Sequence, residues 1–249
     1  MPETRLSGTG FLGSISGVKS PAREAAFLTA LLDGHVPDSM RTFVAIEHTF
    51  KDAKGVDHVL QFQVTQDYLT IGTDDDRFRV PLWPITHQKI CDAWNCVMPT
   101  YKLVDLIWKA SNKLPPQPWG PPYDATMHST ERMSAQSGKI DAKMRDLKID
   151  PATLVGGHKK DVILTNKLVT HPKQVSIYGW HQANGAPIQG LPLYMGHENT
   201  YSDYSHGNRL VSRDCMLDGQ ADDMCRIMCD LILAVGVSGE GPLKLTRQP

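Results

Sequence analysis

Two segments, "TFVAIEHTF" (42–50) and "DHVLQFQVT" (57–65), alternate apolar and polar side chains and are joined by "KDAKGV" (51–56). A period of two turns one face of each segment to a core and the other to solvent, and a short Gly-containing connection lets the pair fold back on itself. The pattern predicts an antiparallel hairpin. "DYLTIGT" (67–73) and "RFRVPL" (77–82) extend it, with Asp74, Asp75 and Asp76 at the intervening turn. Three adjacent carboxylates lack the alternating ligand spacing of an EF-hand loop and read as a solvated turn.

Around these strands the period changes. "SPAREAAFLTALLDG" (20–34) reads as a helix with Ser20 as cap, Pro21 in the first position and Asp33-Gly34 at its end, and Phe27, Ala30 and Leu31 share a face. Residues 84–95 and 99–113 read as two more helices, the second with Leu103, Leu106 and Ile107 on one side, and residues 129–147 as a polar, exposed one. "LPPQPWGPPYD" (114–124) is too proline-rich for regular structure, but its aromatic residues predict that it packs. Strands are expected at 160–169, 173–182 and 201–212, with an Asn-Gly turn after the second, and a last helix at 222–236. Helix, strands, helices, strands, helix is the order of an α+β fold, a mainly antiparallel sheet with helices packed around it, and not of the βαβ alternation of a doubly wound sheet. The Gly/Ser-rich residues 1–19 are expected to form a flexible arm, and residues 20–249 a single domain, with a sub-domain break near 114–124 as the alternative.

With 26 Lys plus Arg against 27 Asp plus Glu, the net charge is −1, so the chain has neither the basic footprint of a nucleic-acid binder nor a polybasic membrane signal. It holds no apolar run long enough for a membrane span, and its N-terminus lacks the continuous apolar stretch of a signal peptide. A cytoplasmic protein, or a secreted one in its mature form, is expected. The five cysteines, Cys91, Cys96, Cys215, Cys225 and Cys229, form no repeated C-x-x-C pair, and Cys225 and Cys229 read as small buried hydrophobes. Neither G-x-S-x-G nor a P-loop is present, and "GTGFLG" (8–13) lacks the preceding strand that a dinucleotide motif requires.

The chemistry-bearing residues gather late in the chain. "YSDYSHGNRLV" (201–211) places Tyr201, Asp203, Tyr204 and His206 where a strand begins, and "VGGHKKD", "YGWH" and "MGHENT" add His158, Asp161, His181 and His197, the last in a loop. Two mechanisms fit these residues. One is a thiol nucleophile: Cys96 lies just ahead of the helix that starts near Pro99, where a helix N-terminus favours the thiolate, with His206 as base and Asp203, Asn208 or His181 as its orienter. The other is a metal site, zinc for choice, drawing on His158, Asp161, His181, His197 and His206. The thiol mechanism needs no cofactor. Trp119, Trp180, Tyr201 and Tyr204 are the candidate aromatic lining for substrate.

A cysteine before a helix followed by "SHGNRLV" on a strand resembles the layout of NlpC/P60-type papain-like hydrolases. The resemblance rests on Cys96 and His206, and it implies a cysteine amidase or peptidase acting on peptide or glycopeptide substrates of cell-wall type. The family's Asp-Cys-Ser-Gly surroundings are replaced here by Asn95-Cys96-Val97-Met98. "DYSHG" and "GHKKDV" also resemble segments of bacterial proteins. The alternative from another class is a non-catalytic module that binds a glycan or a protein through the same aromatic surface.

Overall fold

The computed structural model of the chain describes residues 6–249. It starts with two helices, α1 (Gly8–Ser14) and α2 (Ala22–Leu32). Ser7 caps α1 by accepting from the Gly10 N–H, and the Asp76 carboxylate accepts from the Thr9 N–H at 3.1 Å. Phe11 and Ile15 are buried in the main core. The segment expected to be a flexible arm is therefore a packed helix over 8–14, because two apolar side chains spaced four apart suffice to anchor one short turn; residues 1–5 of that arm lie outside the described residues. In α2, Phe27, Ala30 and Leu31 are buried as their spacing predicts, but Ser20 does not cap it: Pro21 occupies the cap position with no side-chain bond.

The hairpin forms as expected. β1 (Phe43–Lys51) and β2 (Asp57–Thr65) pair without a break from Phe43 opposite Thr65 to Lys51 opposite Asp57, and Leu60, Phe62 and Val64 point from β2 into the core. β3 (Thr70–Gly72) and β4 (Arg77–Arg79) make a separate small hairpin with the three aspartates at its bend. Next come α3 (Pro84–Ala93), β5 (Cys96–Val97), α4 (Tyr101–Ala110) and β6 (Asn112–Lys113). Thr100 caps α4 by accepting from the Leu103 N–H at 3.1 Å. Leu103, Val104 and Ile107 are the buried stripe of α4, each contributing about 1.5–3 kcal/mol by burial.

The proline-rich stretch is irregular and packs only in its first part: the Trp119 N–H donates to the Tyr204 hydroxyl oxygen at 2.9 Å, whereas Tyr123, expected to pack as well, is 72 % exposed. α5 (Thr130–Asp146) is not the exposed helix its composition suggests. It buries Met133, Gln136, Ser137, Ile140 and Met144, and its polar members are used: Gln136 donates to the Gln117 carbonyl at 2.6 Å, and the Ser137 hydroxyl accepts the Arg79 N–H at 3.1 Å.

The remaining strands are β7 (Val155–Gly156), β8 (Lys160–Val162), β9 (Gln174–His181), β10 (Pro187–Glu198), β11 (His206–Gly207), β12 (Val211–Ser212), β13 (Asp214–Leu217) and β14 (Gln220–Asp223), followed by α6 (Met224–Cys229). One sheet has the order β14-β13-β2-β12-β5 with β1 also on β2, and its pairings are all antiparallel. The other has the order β10-β9-β8-β11, antiparallel except where β11 runs parallel to β8. The main apolar core reaches from Phe11 to Leu243, with two smaller clusters around Val104 and Ile163 and around Leu114 and Ile140. The architecture is α+β with mainly antiparallel sheet. Among the described residues no helix is long and apolar enough to cross a membrane.

Four of these later elements differ from expectation. The strand expected at 201–212 is reduced to His206–Gly207 and Val211–Ser212, because Tyr201–Ser205 is tied into a loop by the Asp203 hydrogen bonds. Residues 187–198 form a long strand, so His197 lies on a strand and not in a loop. Gly190, Pro192 and Gly196 hide this, and they are tolerated because β10 is an edge strand with register shifts on either side of Tyr194. The expected strand at 160–169 ends at Val162, and Asn166–Val169 turns as a short 3-10 helix capped by Thr165. The last helix starts only at Met224, where the Asp223 carboxylate accepts the Cys225 and Arg226 N–H groups. Cys229 at its end is exposed, and Cys225 is half-buried at the edge of the main core, so neither is fully buried as expected.

β11 fits its place only because residue 207 has no side chain: a Cβ there would stand 2.6 Å from the Lys159 Cβ and from the Tyr68 ring. Gly207→Ala is expected to cost about 1–3 kcal/mol or more by overpacking. A urea midpoint unchanged from the parent would contradict this placement of β11.

Candidate functional site

The four-stranded sheet carries a separate polar cluster on each face. In the parallel pair, His206 is the partner of Lys160, and Gly207 of Asp161; across the antiparallel pair, Asp161 is the partner of Tyr178. Partners share a face. One face therefore presents Lys160 and His206, the other Asp161 and Tyr178.

β9 would break this division if it were regular, because Tyr178 and Trp180 would then share a face. Gly179 (φ 93°) and Trp180 (φ 57°) both adopt left-handed backbone instead. The twist sends the Trp180 ring to the Lys160 side, where the Lys160 Nζ lies 4.8 Å from its centroid, and leaves Tyr178 and His181 together on the other. A tryptophan in this conformation is held at a cost of about 1–3 kcal/mol, and such strain gathers at functional sites. A Cβ at residue 179 would come within 3.3 Å of the His181 ring and of Val104, so the neighbouring position needs glycine.

On the first face, His206 is 1 % exposed and neither Nδ1 nor Nε2 has a hydrogen-bond partner among the described residues. His87, His158 and His181, also buried, each engage one ring nitrogen. Burial lowers the His206 imidazole to about 4, against the opposing pull of Asp203, and Lys160 and His197 lower it further; it is neutral at pH 7. The buried Asp203 accepts the Ser205 N–H at 2.7 Å and the Ser205 hydroxyl at 2.5 Å on one oxygen, and the Tyr201 hydroxyl at 3.2 Å on the other. Burial acts to raise its carboxyl, but His206, Lys160 and the Ser205 hydrogen bonds outweigh that and hold it well below the usual range. Tyr201 is held above its usual value by burial and by Asp203. Its ring stacks on His197 at 3.7 Å and 4°, tilts against His206 at 5.5 Å and meets His128 edge-on at 4.8 Å. The loop carrying Tyr201, Asp203 and His206 is held from below by Lys159, fully buried, whose Nζ donates to the Tyr204 carbonyl at 2.5 Å.

The expected site residues divide accordingly. His206, Asp203, Tyr201, Trp180 and His197 come together. His181 does not join them: on the opposite face its Nε2 lies 3.0 Å from Asp105 Oδ1, its ring stacks on Trp108 at 5.2 Å, and Tyr178 donates to the same carboxylate at 3.0 Å. Asp161 is on that face too, accepting from the Tyr68 hydroxyl at 2.8 Å and raised by burial to about 6. Between them is a cavity of about 10 Å³, room for one water. His158 belongs to a third group: its Nε2 is 3.1 Å from Asp67 Oδ1, and Asp67 pairs with Arg79 at 2.7 Å. The five expected zinc ligands are thus spread over three places, and among the described residues no group of three or more His, Cys, Asp or Glu side chains is placed to hold a metal ion. Tyr204 is buried, with its hydroxyl tied to the Trp119 backbone, and the Trp119 ring is covered by Lys139 Nζ at 3.7 Å; both pack the proline-rich stretch rather than line the His206 face.

Cys96 is placed differently from expectation. It lies in β5 opposite Ser212 of β12, and neither ring nitrogen of His206 has a hydrogen-bond partner among the described residues, so the thiol does not reach it. Its thiol donates to the Trp94 carbonyl at 3.2 Å, and burial, with Asp214 nearby, pushes it up to about 12. The α4 N-terminus that was to activate it is capped by Thr100. The structure does not bring Cys96 to His206, and it disfavours the thiolate.

Lys160, Lys159 and His128 were missed. "HKKD" held a signal: two lysines in a row at the entry to a strand point to opposite sides, and Lys159, just ahead of β8, is the buried one. His128, at the end of the 3-10 turn Ala125–His128 that precedes α5, is joined to the site only by the fold.

Three neutral buried histidines make the protein acid-sensitive. Burial lowers His206 and His158 to about 4 and His87 to about 3. A folded-state value below the unfolded one means that stability is complete above about 6.5 and is lost as pH falls towards the folded values. The expected loss between pH 7 and pH 4 is on the order of several kcal/mol, read as a falling urea midpoint; a midpoint level from pH 7 to pH 4 would contradict it. Compared with protein-family models, with curated proteins and with solved structures, the chain gives no match.

Proposed function

We propose that the chain is a hydrolase that works by acid–base catalysis at His206, with peptide or glycopeptide amides as its substrate class. The observation that carries this reading is a neutral, buried imidazole with both nitrogens unengaged, beside an ammonium group, a tyrosine hydroxyl and an ionised carboxylate. A buried polar group without a partner is rare in structural roles and frequent where chemistry is done. In this reading His206 takes a proton from the water that attacks the amide carbonyl. A C–O bond forms, the Lys160 ammonium stabilises the oxyanion, and the imidazolium returns the proton to the leaving amine as the C–N bond breaks. Asp203, fixed by Ser205 and Tyr201, faces the charge that appears on His206.

This replaces the thiol mechanism as the version the geometry supports, and the two are separated by one comparison. Cell-wall muropeptides are incubated with the parent chain, with Cys96→Ala and with His206→Asn, and the release of free amines is followed. Cys96→Ala is expected to keep the parental rate and His206→Asn to lose it. Loss in Cys96→Ala with the fold intact would reverse the assignment. The exposed Tyr194 beside the His197–Tyr201 stack favours a second reading, a binding-only module, which predicts muropeptide binding without turnover in every variant.

A further inference from the structure

On the His206 face the ammonium and the carboxylate are not in contact with each other. Lys160 Nζ has no hydrogen-bond or ion-pair partner among the described residues and rests only against the Trp180 ring. The one carboxylate with an electrostatic hold on it is Asp203, and both Asp203 oxygens are already engaged by Ser205 and Tyr201. His206 beside it is buried with both ring nitrogens unengaged. His197 stacks on one side of the Tyr201 ring and His128 meets it edge-on. Past His128 the surface opens into a groove of about 470 Å³ whose lining includes Lys19, Arg23 and His128 against a single acid, Glu131. Arg23 is fixed there by its 2.5 Å bond to the His128 carbonyl, and its Nε is buried without a partner.

We propose that the site takes a substrate bearing an oxyanion, a carboxylate or a phosphate, which Lys160 receives beside His206, while the remainder of the molecule runs past His128 towards Lys19 and Arg23. This deepens the hydrolase reading and rests on it for the word substrate; the anion site itself stands on the geometry alone. A negative group seated at Lys160 supplies the partner that the ammonium lacks. A charge-assisted hydrogen bond is stronger than a neutral one, and the Trp180 ring covers one side of the half-buried ammonium.

The test uses the whole chain with inorganic phosphate and, separately, acetate as probes at constant ionic strength, followed by backbone amide shifts. The variants are Lys160→Met, which keeps the aliphatic stem on Trp180 but not the charge, and Lys113→Met, which removes a lysine lying 4.9 Å from the Trp108 ring elsewhere on the molecule. Saturable shifts centred on Lys160, His206 and His197 are expected in the parent and in Lys113→Met, with affinity about tenfold weaker in Lys160→Met. Should Lys160→Met not fold, Lys160→Gln carries the same expectation. No saturable shift in the parent, or equal affinity in both variants (an adventitious ion only), overturns the proposal. Turnover separates it from the hydrolase reading: if His206→Asn retains the parental rate while Lys160→Met loses the probe, the anion site stands and the hydrolase falls. The relative strength of phosphate and acetate tells which oxyanion the site prefers.

Discussion

His206→Asn is expected to lower kcat by about a hundredfold to ten-thousandfold, the range that a positioned acid–base group contributes, with the far-UV spectrum unchanged. Asparagine is close to the imidazole in shape and polarity but cannot carry the proton. The pH profile gives a sharper check. His206 is neutral down to about 4 because burial outweighs the pull of Asp203, so the rate in the parent should be level through neutrality and fall with acid as pH approaches 4. A limb near pH 6.5, the ordinary histidine value, would mean that His206 is solvated in the working enzyme and that the dry site described above is wrong. A limb in the alkaline range abolished by Cys96→Ala would bring the thiol back.

Arg79→Met should be the most destabilising single substitution in the polar interior. Arg79 is 1 % exposed and holds Asp67 through Nη2 at 2.7 Å and Nε at 2.9 Å, with Asp141 on Nη1 at 2.9 Å. Asp67 in turn accepts from the Tyr68 N–H at 2.7 Å and contacts His158. Burial acts to raise the Asp67 carboxyl, but Arg79 and His158 overcome it and hold it well below the usual range. Removing the arginine leaves that carboxylate buried without its main counter-charge, which costs about 3–5 kcal/mol. The measurement is the urea midpoint at pH 7 with the slope held to the parental value. Adding Asp67→Asn to Arg79→Met should recover part of the loss, since it removes the stranded charge; a double variant as weak as the sum of the two singles would show that the pair is not coupled. The low Asp67 value also has a sign: its contribution is present above the unfolded carboxylate range and is lost as pH falls through the folded value.

The two apolar-alternating segments made the β1–β2 hairpin legible, because period-two burial is a local property that the neighbouring sheet only completes. The helices α2 and α4 followed for the same reason, since their apolar stripes are written in consecutive residues, and α3 followed from Pro84 at its first position. α5 was legible as a helix but not as a buried one, since its inward face uses Gln136 and Ser137, whose burial is offset by bonds to residues far away in the chain. β10 was hidden by Gly190, Pro192 and Gly196, which a central strand would not tolerate and an edge strand does.

The site was legible in its types and not in its grouping. From consecutive residues alone, His206, Asp203 and Tyr201 are placed within six positions, and their proximity is a local fact. What the sequence by itself determined was an α+β chain with this polar segment at the entry to a late strand. Which of the other polar residues meet it was decided by the tertiary structure: by the parallel pairing that sets Lys160 beside His206, and by the left-handed turn at Gly179 and Trp180 that sends His181 to the opposite face. Cys96 is the converse case. Its place ahead of a helix was visible, but the Thr100 cap, the Trp94 hydrogen bond and the burial that raises its thiol depend on strands that meet only in the folded chain. Local order sets a residue's type and its face; long-range pairing sets its neighbours, and neighbours decide protonation and therefore chemistry.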